Sequence, residues 1–144
     1  MDVSVDTGII YLGGNFTKIV YKTSLGALVD NNLGEVKSFY PSISGASISA
    51  SCPDGNGGFY IGGIFTSVGG VTRNNAAHIF EDGSLDQSWN PNLDARVNAI
   101  AVSNSIVYLG GNFTTAGATG RNYAAAFNTE GVVQPWNPNL SLAV

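Results

Sequence analysis

His78 is the only histidine among the 144 residues, and it is the first side chain to consider for catalysis. A histidine acts as a general base when a carboxylate orients its ring beside a nucleophilic hydroxyl or thiol. His78 lies in a short apolar segment, residues 76–80, and no aspartate or glutamate stands at a spacing that suggests a partner. We therefore predict a structural role for His78, no catalytic residues, and a protein that is not an enzyme.

Two acidic segments, residues 54–58 and 81–86, are candidates for calcium binding. Neither follows the ligand spacing of an EF-hand loop. Each contains the dipeptide Asp-Gly, which is typical of hairpin turns because both residues tolerate positive φ. Cys52 is the only cysteine, which excludes an intrachain disulfide and a cysteine-based metal site. We predict turns at these segments, with no metal and no cofactor.

Two sets of recurring residues could bind a ligand. Trp89 and Trp136 each begin the sequence Trp-Asn-Pro-Asn, and an indole face can stack on a sugar or pack as a wedge in the core. Arg73 and Arg121 each precede an asparagine, and each could contact a hydroxyl-rich or acidic ligand or the carbonyl groups of a neighbouring loop. Both alternatives stay open. The candidate ligand-binding residues are Arg73, Asn74, Trp89, Asn90, Arg121, Asn122, Trp136 and Asn137.

These residues belong to a repeat that extends along the whole chain. Its anchors are Tyr11, Tyr60 and Tyr108, which are spaced 49 and 48 residues apart and each begin a Tyr-Leu/Ile-Gly-Gly segment that ends in Phe-Thr. The sequence Trp-Asn-Pro-Asn-Leu occurs at 89–93 and 136–140 and in weakened form at 39–43. We predict three repeats, at about 1–45, 46–93 and 94–140, with 141–144 completing a neighbouring or N-terminal unit.

Each repeat is predicted to contain four short strands. In the third repeat they are expected at 97–102, 106–109, 123–127 and 132–136, with turn residues between them. No segment has apolar residues at helical spacing. Four strands in a repeat of this length are typical of a β-propeller blade, whereas the coils of a β-solenoid are usually shorter. The predicted fold is all-β, a propeller with three four-stranded blades per chain.

The repeat resembles a known family. Tyr-Leu-Gly-Gly-Asn-Phe-Thr at 108–114, Gly-x-x-Arg-Asn-x-x-Ala at 70–77 and the Trp-Asn-Pro-Asn segments are similar to the delta-sixty class of propeller repeat in bacterial surface and secreted proteins. The first repeat departs from the pattern because it lacks the Arg-Asn pair and the tryptophan. The resemblance implies a propeller, usually without an assigned activity, and an extracellular or cell-surface location.

The composition limits the partners. Only 11% of the residues are charged, compared with about 25% in average proteins, and the net charge is −4. Nucleic acids and anionic membranes need clustered lysine and arginine, so neither is expected as a partner. No signal peptide and no membrane-spanning segment is recognisable. We predict a non-enzymatic binding or scaffold module for a protein or carbohydrate ligand, with a lectin-like propeller as the alternative.

The two ends of the chain predict self-association. Residues 139–144 followed by 1–6 read as one continuous strand and turn, like the intact segment 92–103. Propellers close with about 4–8 blades, so three blades cannot meet. We expect a head-to-tail homodimer that forms a six-bladed ring. Excision from a longer single-chain propeller is the alternative.

The strand connections predict two different faces. Residues 66–73 and 89–92 form the longer loops, and both are expected on one face. The short turns are expected on the opposite face, at 54–55, 81–83, 103–104 and 129–131. Because function concentrates in loops on a rigid scaffold, the face with the longer loops is predicted to bind ligands.

Overall fold

The computed structural model of the chain describes residues 2–6, 9–13, 26–30, 33 and 40–142. Within these ranges every regular element is a β-strand, and every strand pairing is antiparallel. The prediction of an all-β chain is therefore confirmed. In the same part of the chain, no helix is long and apolar enough to cross a membrane.

The strands form three successive sheets. The first contains β1 (Asp2–Asp6), β2 (Ile9–Gly13) and β3 (Gly26–Asp30), paired in that order. The second contains β4 (Ile43–Pro53), β5 (Phe59–Val68), β6 (Val71–Thr72) and β7 (Ala76–Ile79), with β5 pairing to all the others. The third contains β8 (Val97–Ser103), β9 (Ile106–Gly111) and β12 (Ala124–Asn128), with β9 in the centre. A separate hairpin pairs β10 (Thr115–Ala116) with β11 (Thr119–Gly120).

The predicted fourth strand is shorter than expected. At residues 132–136 it is reduced to one bridge, Phe127 to Val133, and the second sheet has the equivalent bridge from Ile79 to Leu85. Pro135 has no amide hydrogen, so it cannot extend the ladder beyond Gln134. In each of these two repeats, the predicted fourth strand is therefore only a bridged edge segment.

Alternation along β5 places its side chains on two different cores. Phe59, Ile61 and Phe65 belong to a cluster on one face of the second sheet, and Tyr60 belongs to a cluster between the second and third sheets. Strands β4 and β5 both contact β8 of the third sheet, and β1 and β2 contact β4. Phe65 and Phe113 are fully buried, as predicted. Phe16, their expected equivalent, lies outside the described residues.

The glycine pair Gly62-Gly63 in β5 has two separate roles. A Cβ on Gly62 would lie 2.5 Å from Cγ1 of Val97, so this glycine permits close approach of the second and third sheets. A Cβ on Gly63 would meet the carbonyl oxygen of Ser47, next to a bulge in β4. Gly111 stands in the same relation to Arg96 beside the irregularity in β8. The sequence predicted a bulge or a close sheet approach, and both are present.

Candidate functional site

The imidazole of His78 is held between two carboxylates. Its Nδ1 lies 3.0 Å from Oδ2 of Asp86, and its Nε2 lies 3.0 Å from Oδ2 of Asp54. The ring is buried on β7, Asp54 lies in the turn after β4, and Asp86 lies after the turn that follows β7. The prediction that His78 has no carboxylate partner was wrong. The register Tyr60 to His78 places the ring near the end of the sheet where both turns fold back.

Sequence spacing could not reveal this cluster directly. Asp54 and Asp86 are 24 and 8 residues from His78, and they meet it only because β5 pairs with both β4 and β7. The available signal was that both acidic turns lie at the same end of the predicted sheet. The signal predicts that the two turns share a face, but it does not by itself indicate that His78 lies between Asp54 and Asp86.

The two contacts of the His78 ring limit the chemistry that the cluster can perform. Two ionised carboxylates can accept only, so both nitrogens of His78 donate when the ring is in the imidazolium form. A ring in that form has no free lone pair and cannot accept a proton from a nucleophile. Because both ring nitrogens contact carboxylates, the arrangement suits a structural cluster better than a general base.

Asp86 is the most heavily hydrogen-bonded member of the cluster. Its Oδ1 accepts from the amide of Ser88 at 2.9 Å, from Oγ of Ser88 at 2.6 Å and from the amide of Trp89 at 3.2 Å. Burial alone would raise the pKa of Asp86, but the hydrogen bonds from His78, Ser88 and Trp89 outweigh it and lower that pKa. Asp86 therefore stays ionised in the folded protein at neutral pH.

Aromatic rings cover the imidazole. Tyr60 stacks on His78 with the ring centroids 4.2 Å apart, and Phe80 meets His78 edge-on at 5.0 Å. Burial, with the charges of Asp54, Asp86 and Cys52, raises the pKa of Tyr60 to about 12, so its phenol is neutral. Tyr60 is only 2% exposed, and its hydroxyl makes no hydrogen bond to any residue that the structure describes.

A cavity of about 620 Å³ opens beside this cluster, and we call it the His78 cavity. Its walls include Asp54, Tyr60, His78, Phe80 and Asp86. Its rim is formed by side chains of four short turns, namely Asn56, Glu81 and Asp82, Ser105, and Thr129. The prediction that the short turns gather on one face is confirmed. A polar cavity therefore lies on the face that was not expected to bind ligands.

The two predicted arginines are occupied by backbone carbonyl groups. Arg73 is 4% exposed, and its Nη2 donates to the carbonyls of Asp86 and Gln87, each at 3.1 Å. Arg121 donates through Nη2 to the carbonyl of Gln134 at 3.0 Å. Each guanidinium ties the loop before β7 or β12 to the bridged edge segment of its own repeat. The geometry matches the structural alternative that the sequence left open.

Three of the four predicted asparagines bond to an asparagine of a Trp-Asn-Pro-Asn segment. Nδ2 of Asn74 donates to Oδ1 of Asn92 at 2.8 Å, and Nδ2 of Asn122 donates to Oδ1 of Asn139 at 2.8 Å. Oδ1 of Asn137 accepts from the amide of Asn139 at 3.2 Å. Asn90 is exposed on the same type of loop. Asn74, which directly follows the loop 66–73, therefore contacts the loop 89–92, in agreement with the prediction that both loops lie on one face.

The two tryptophans are in contrasting environments. Trp89 is 0% exposed, donates from Nε1 to the carbonyl of Asn128 at 3.2 Å, and packs edge-on against Tyr60. Trp136 is 46% exposed and packs edge-on against Tyr108, with the ring centroids 5.3 Å apart. Trp89 is thus a wedge between the second and third sheets. Trp136 has the same sequence context, but no further sheet among the described residues packs against it.

An apolar surface surrounds Trp136 on the outer side of the third sheet. We call it the Trp136 face; a shallow cavity of about 260 Å³ lies on it, and it is formed by Ala101, Tyr108, Ala124, Trp136 and Leu140. Four of these five have repeat equivalents in the second sheet, and those equivalents are buried against the third sheet: Tyr60, Ala76, Trp89 and Leu93. The Trp136 face therefore has the composition of an internal sheet-to-sheet interface.

Comparison with known protein families and with curated proteins finds no match to this chain.

Proposed function

We propose that the chain is a non-enzymatic binding and scaffold module whose three sheets are blades of a β-propeller. The Trp136 face is then the surface on which a further blade packs. The observation that carries the proposal is the pair Trp89 and Trp136: one is a fully buried wedge, and its repeat equivalent is 46% exposed. Exposed apolar patches on soluble proteins commonly mark interaction sites.

The occupant proposed for the Trp136 face is the first sheet of a second copy. In the third sheet, the surface that covers Trp89 includes the cross-strand pairs Ile100–Leu109 and Val102–Val107. In the first sheet, the pairs in the same register are Val3–Leu12 and Val5–Ile10. The match in register and in apolar character supports packing of β1 and β2 on Trp136 as β8 and β9 pack on Trp89.

Two copies related in this way form a closed assembly. Each copy offers one Trp136 face and one first sheet, so the contact is head-to-tail, and such contacts close into rings when the rotation fits. Two sets of three blades give six, within the usual range of about 4–8. The proposal agrees with the resemblance to the delta-sixty repeats and with an extracellular or cell-surface location. In a longer chain, a following blade would cover the same face.

A lectin-like function is the second candidate. Trp136 is the exposed member of the pair, and an exposed indole can stack on a sugar ring. Trp89 offers no such surface because it is fully buried. The repeated pattern therefore supports packing more than a repeated sugar site.

The test compares two arginine substitutions by light scattering. We expect the wild-type chain to have twice the chain mass of 14.9 kDa and Trp136→Arg to have the single-chain mass, because a charge in the apolar contact opposes packing. Val132→Arg is the matched control, since Val132 is 54% exposed and lies outside the Trp136 face. Its mass should equal that of the wild type.

Two results would overturn the proposal. One is a wild-type chain that stays at the single-chain mass at micromolar concentration. The other is an assembly whose mass is unaffected by Trp136→Arg while circular dichroism shows an intact β fold. If a simple sugar bound at Trp136 while the chain stayed single, the lectin-like candidate would replace the scaffold.

A further inference from the structure

We propose that the His78 cavity binds an organic cation, either a protonated amine or a guanidinium group. The inference is independent of the assembly, because the cavity lies on the short-turn side of the sheets and shares no residue with the Trp136 face. Its basis is the combination of negative charge, aromatic walls and an unused polar group.

The charge of the cavity is unbalanced. Four carboxylates line it, from Asp54, Glu81, Asp82 and Asp86, and the lining residues include no lysine or arginine. The ion pairs within the described part of the chain are both made by His78, with Asp54 and Asp86. Glu81 and Asp82 are exposed at the rim and have no ion pair there. A cation entering the cavity would meet these two carboxylates first.

The aromatic walls distinguish an organic cation from a simple ion. Phe80 is 43% exposed beside the buried rings of Tyr60 and His78. The face of a phenylalanine or tyrosine attracts a cation, while its apolar surface suits the methylene groups of an alkylammonium or alkylguanidinium. A volume of about 620 Å³ is also far larger than a dehydrated metal ion requires.

The hydroxyl of Tyr60 is an independent indication of a ligand. Tyr60 is only 2% exposed, and it lines the cavity. Its hydroxyl has no hydrogen-bond partner among the residues that the structure describes. The hydroxyl is not one of the fully enclosed polar atoms without a partner, so it is open to the cavity and available to water or to a ligand. Because the phenol is neutral, its oxygen can accept a hydrogen bond from an ammonium or guanidinium N–H.

The test is a calorimetric titration of the folded chain with n-butylguanidinium at low ionic strength. We expect saturable binding of one cation per chain, and no binding of the neutral isostere N-butylurea. Glu81→Gln should weaken binding about fivefold, the effect of one close ion pair in water. Glu130→Gln is the matched control, because Glu130 is an exposed carboxylate in a turn of the same face but does not line the cavity. Its affinity should equal that of the wild type.

A second variant and a second probe sharpen the result. Phe80→Leu should weaken binding about two- to fivefold by removing the exposed aromatic wall. A blocked Gly-Arg-Gly peptide that binds more tightly than n-butylguanidinium would identify a polypeptide side chain as the source of the cation, and the reverse order would identify a small molecule.

Three outcomes would overturn the proposal. They are equal binding of N-butylurea, equal effects of Glu81→Gln and Glu130→Gln, and displacement of n-butylguanidinium by calcium chloride at a lower concentration than the cation itself. The first two would remove the charge argument, and the third would assign the cavity to a metal ion.

Discussion

At the scale of single residues, the triad of Asp54, His78 and Asp86 links three segments of one sheet. Its members come from the turn after β4, from β7 and from the segment after β7. Asp86 also accepts hydrogen bonds from Ser88 and from the amide of Trp89. One carboxylate thus connects the buried imidazole to the residue that separates the second and third sheets, which makes Asp86 a stabilising residue as well as a wall of the cavity.

The Asp86→Asn variant should be less stable than the wild type by about 3 kcal/mol at pH 7, because it leaves the buried ring of His78 and the donors of Ser88 and Trp89 with a weaker partner. The folded-state pKa of Asp86 lies below its unfolded value of about 4, so the stabilisation is complete above that value and is lost as pH falls through the folded pKa. Urea denaturation of both proteins at pH 7 and at lower pH values measures this.

The comparison has a matched control and a clear contrary result. Asp82→Asn removes an exposed carboxylate that bonds only to Ser84, and we expect it to change stability little. A difference between the wild type and Asp86→Asn that grows on acidification would contradict the assignment, because the carboxylate would then stabilise the fold in its protonated form.

Single residues were the hardest part to predict from the sequence. The burial of Phe65 and Phe113 followed from their recurrence, because a repeated apolar residue has a repeated packing role. The pairing of His78 with Asp54 and Asp86 did not follow, since neither aspartate is part of the repeated pattern and the contact depends on strand register. Unique side chains must be located in space before their chemistry is visible.

At the scale of elements, the glycine pairs set how closely the sheets and strands approach. Gly62 faces the next sheet, where Val97 occupies the space that a side chain would need. Gly63 faces its own sheet, beside the carbonyl of Ser47 at the bulge in β4. Adjacent residues of a strand point to opposite sides, so two consecutive glycines allow both close contacts at one point of β5.

The Gly62→Ala variant should lose about 1–3 kcal/mol of unfolding free energy, because its Cβ would lie 2.5 Å from Cγ1 of Val97 and force the two sheets apart. Gly120→Ala is the control, since nothing lies within 4 Å of the Cβ position there. We expect it to change stability by less than about 0.5 kcal/mol. Both values come from urea denaturation followed by circular dichroism.

A second substitution identifies the cause. Shortening the neighbour in the double variant Gly62→Ala with Val97→Ala should make the cost of the added methyl group smaller than in the wild-type background. Equal costs in both backgrounds would show that the sheets do not meet at Gly62 as described.

Strand positions were predicted well where alternation and turn residues agreed. The strands expected at 97–102, 106–109 and 123–127 correspond to Val97–Ser103, Ile106–Gly111 and Ala124–Asn128. The fourth segment, 132–136, forms only a bridge, because Pro135 ends the ladder and Arg121 takes the carbonyl of Gln134. The sequence could not identify this role of Arg121, because it also allowed a contact with a ligand.

At the scale of the whole molecule, the interface between the second and third sheets has an uncovered counterpart on the third sheet. The second sheet buries Tyr60, Ala76, Trp89 and Leu93 against the third sheet, and the third sheet presents Tyr108, Ala124, Trp136 and Leu140 outwards. The repeat made this equivalence visible in the sequence, but the sequence left open whether the tryptophans pack or bind a ligand. The burial of Trp89 favours packing. The same packing would apply to Trp136 if a further sheet covered it.

The most direct test of that claim is the solvent exposure of Trp136 measured by hydroxyl-radical footprinting with mass spectrometry, over a range of protein concentrations. We expect Trp136 to be as protected as Trp89 when the chain is associated, and to oxidise much faster than Trp89 on dilution to the single chain. Rapid oxidation of Trp136 at every concentration, including those at which the chain is associated, would contradict the account, because another surface would then hold the copies together.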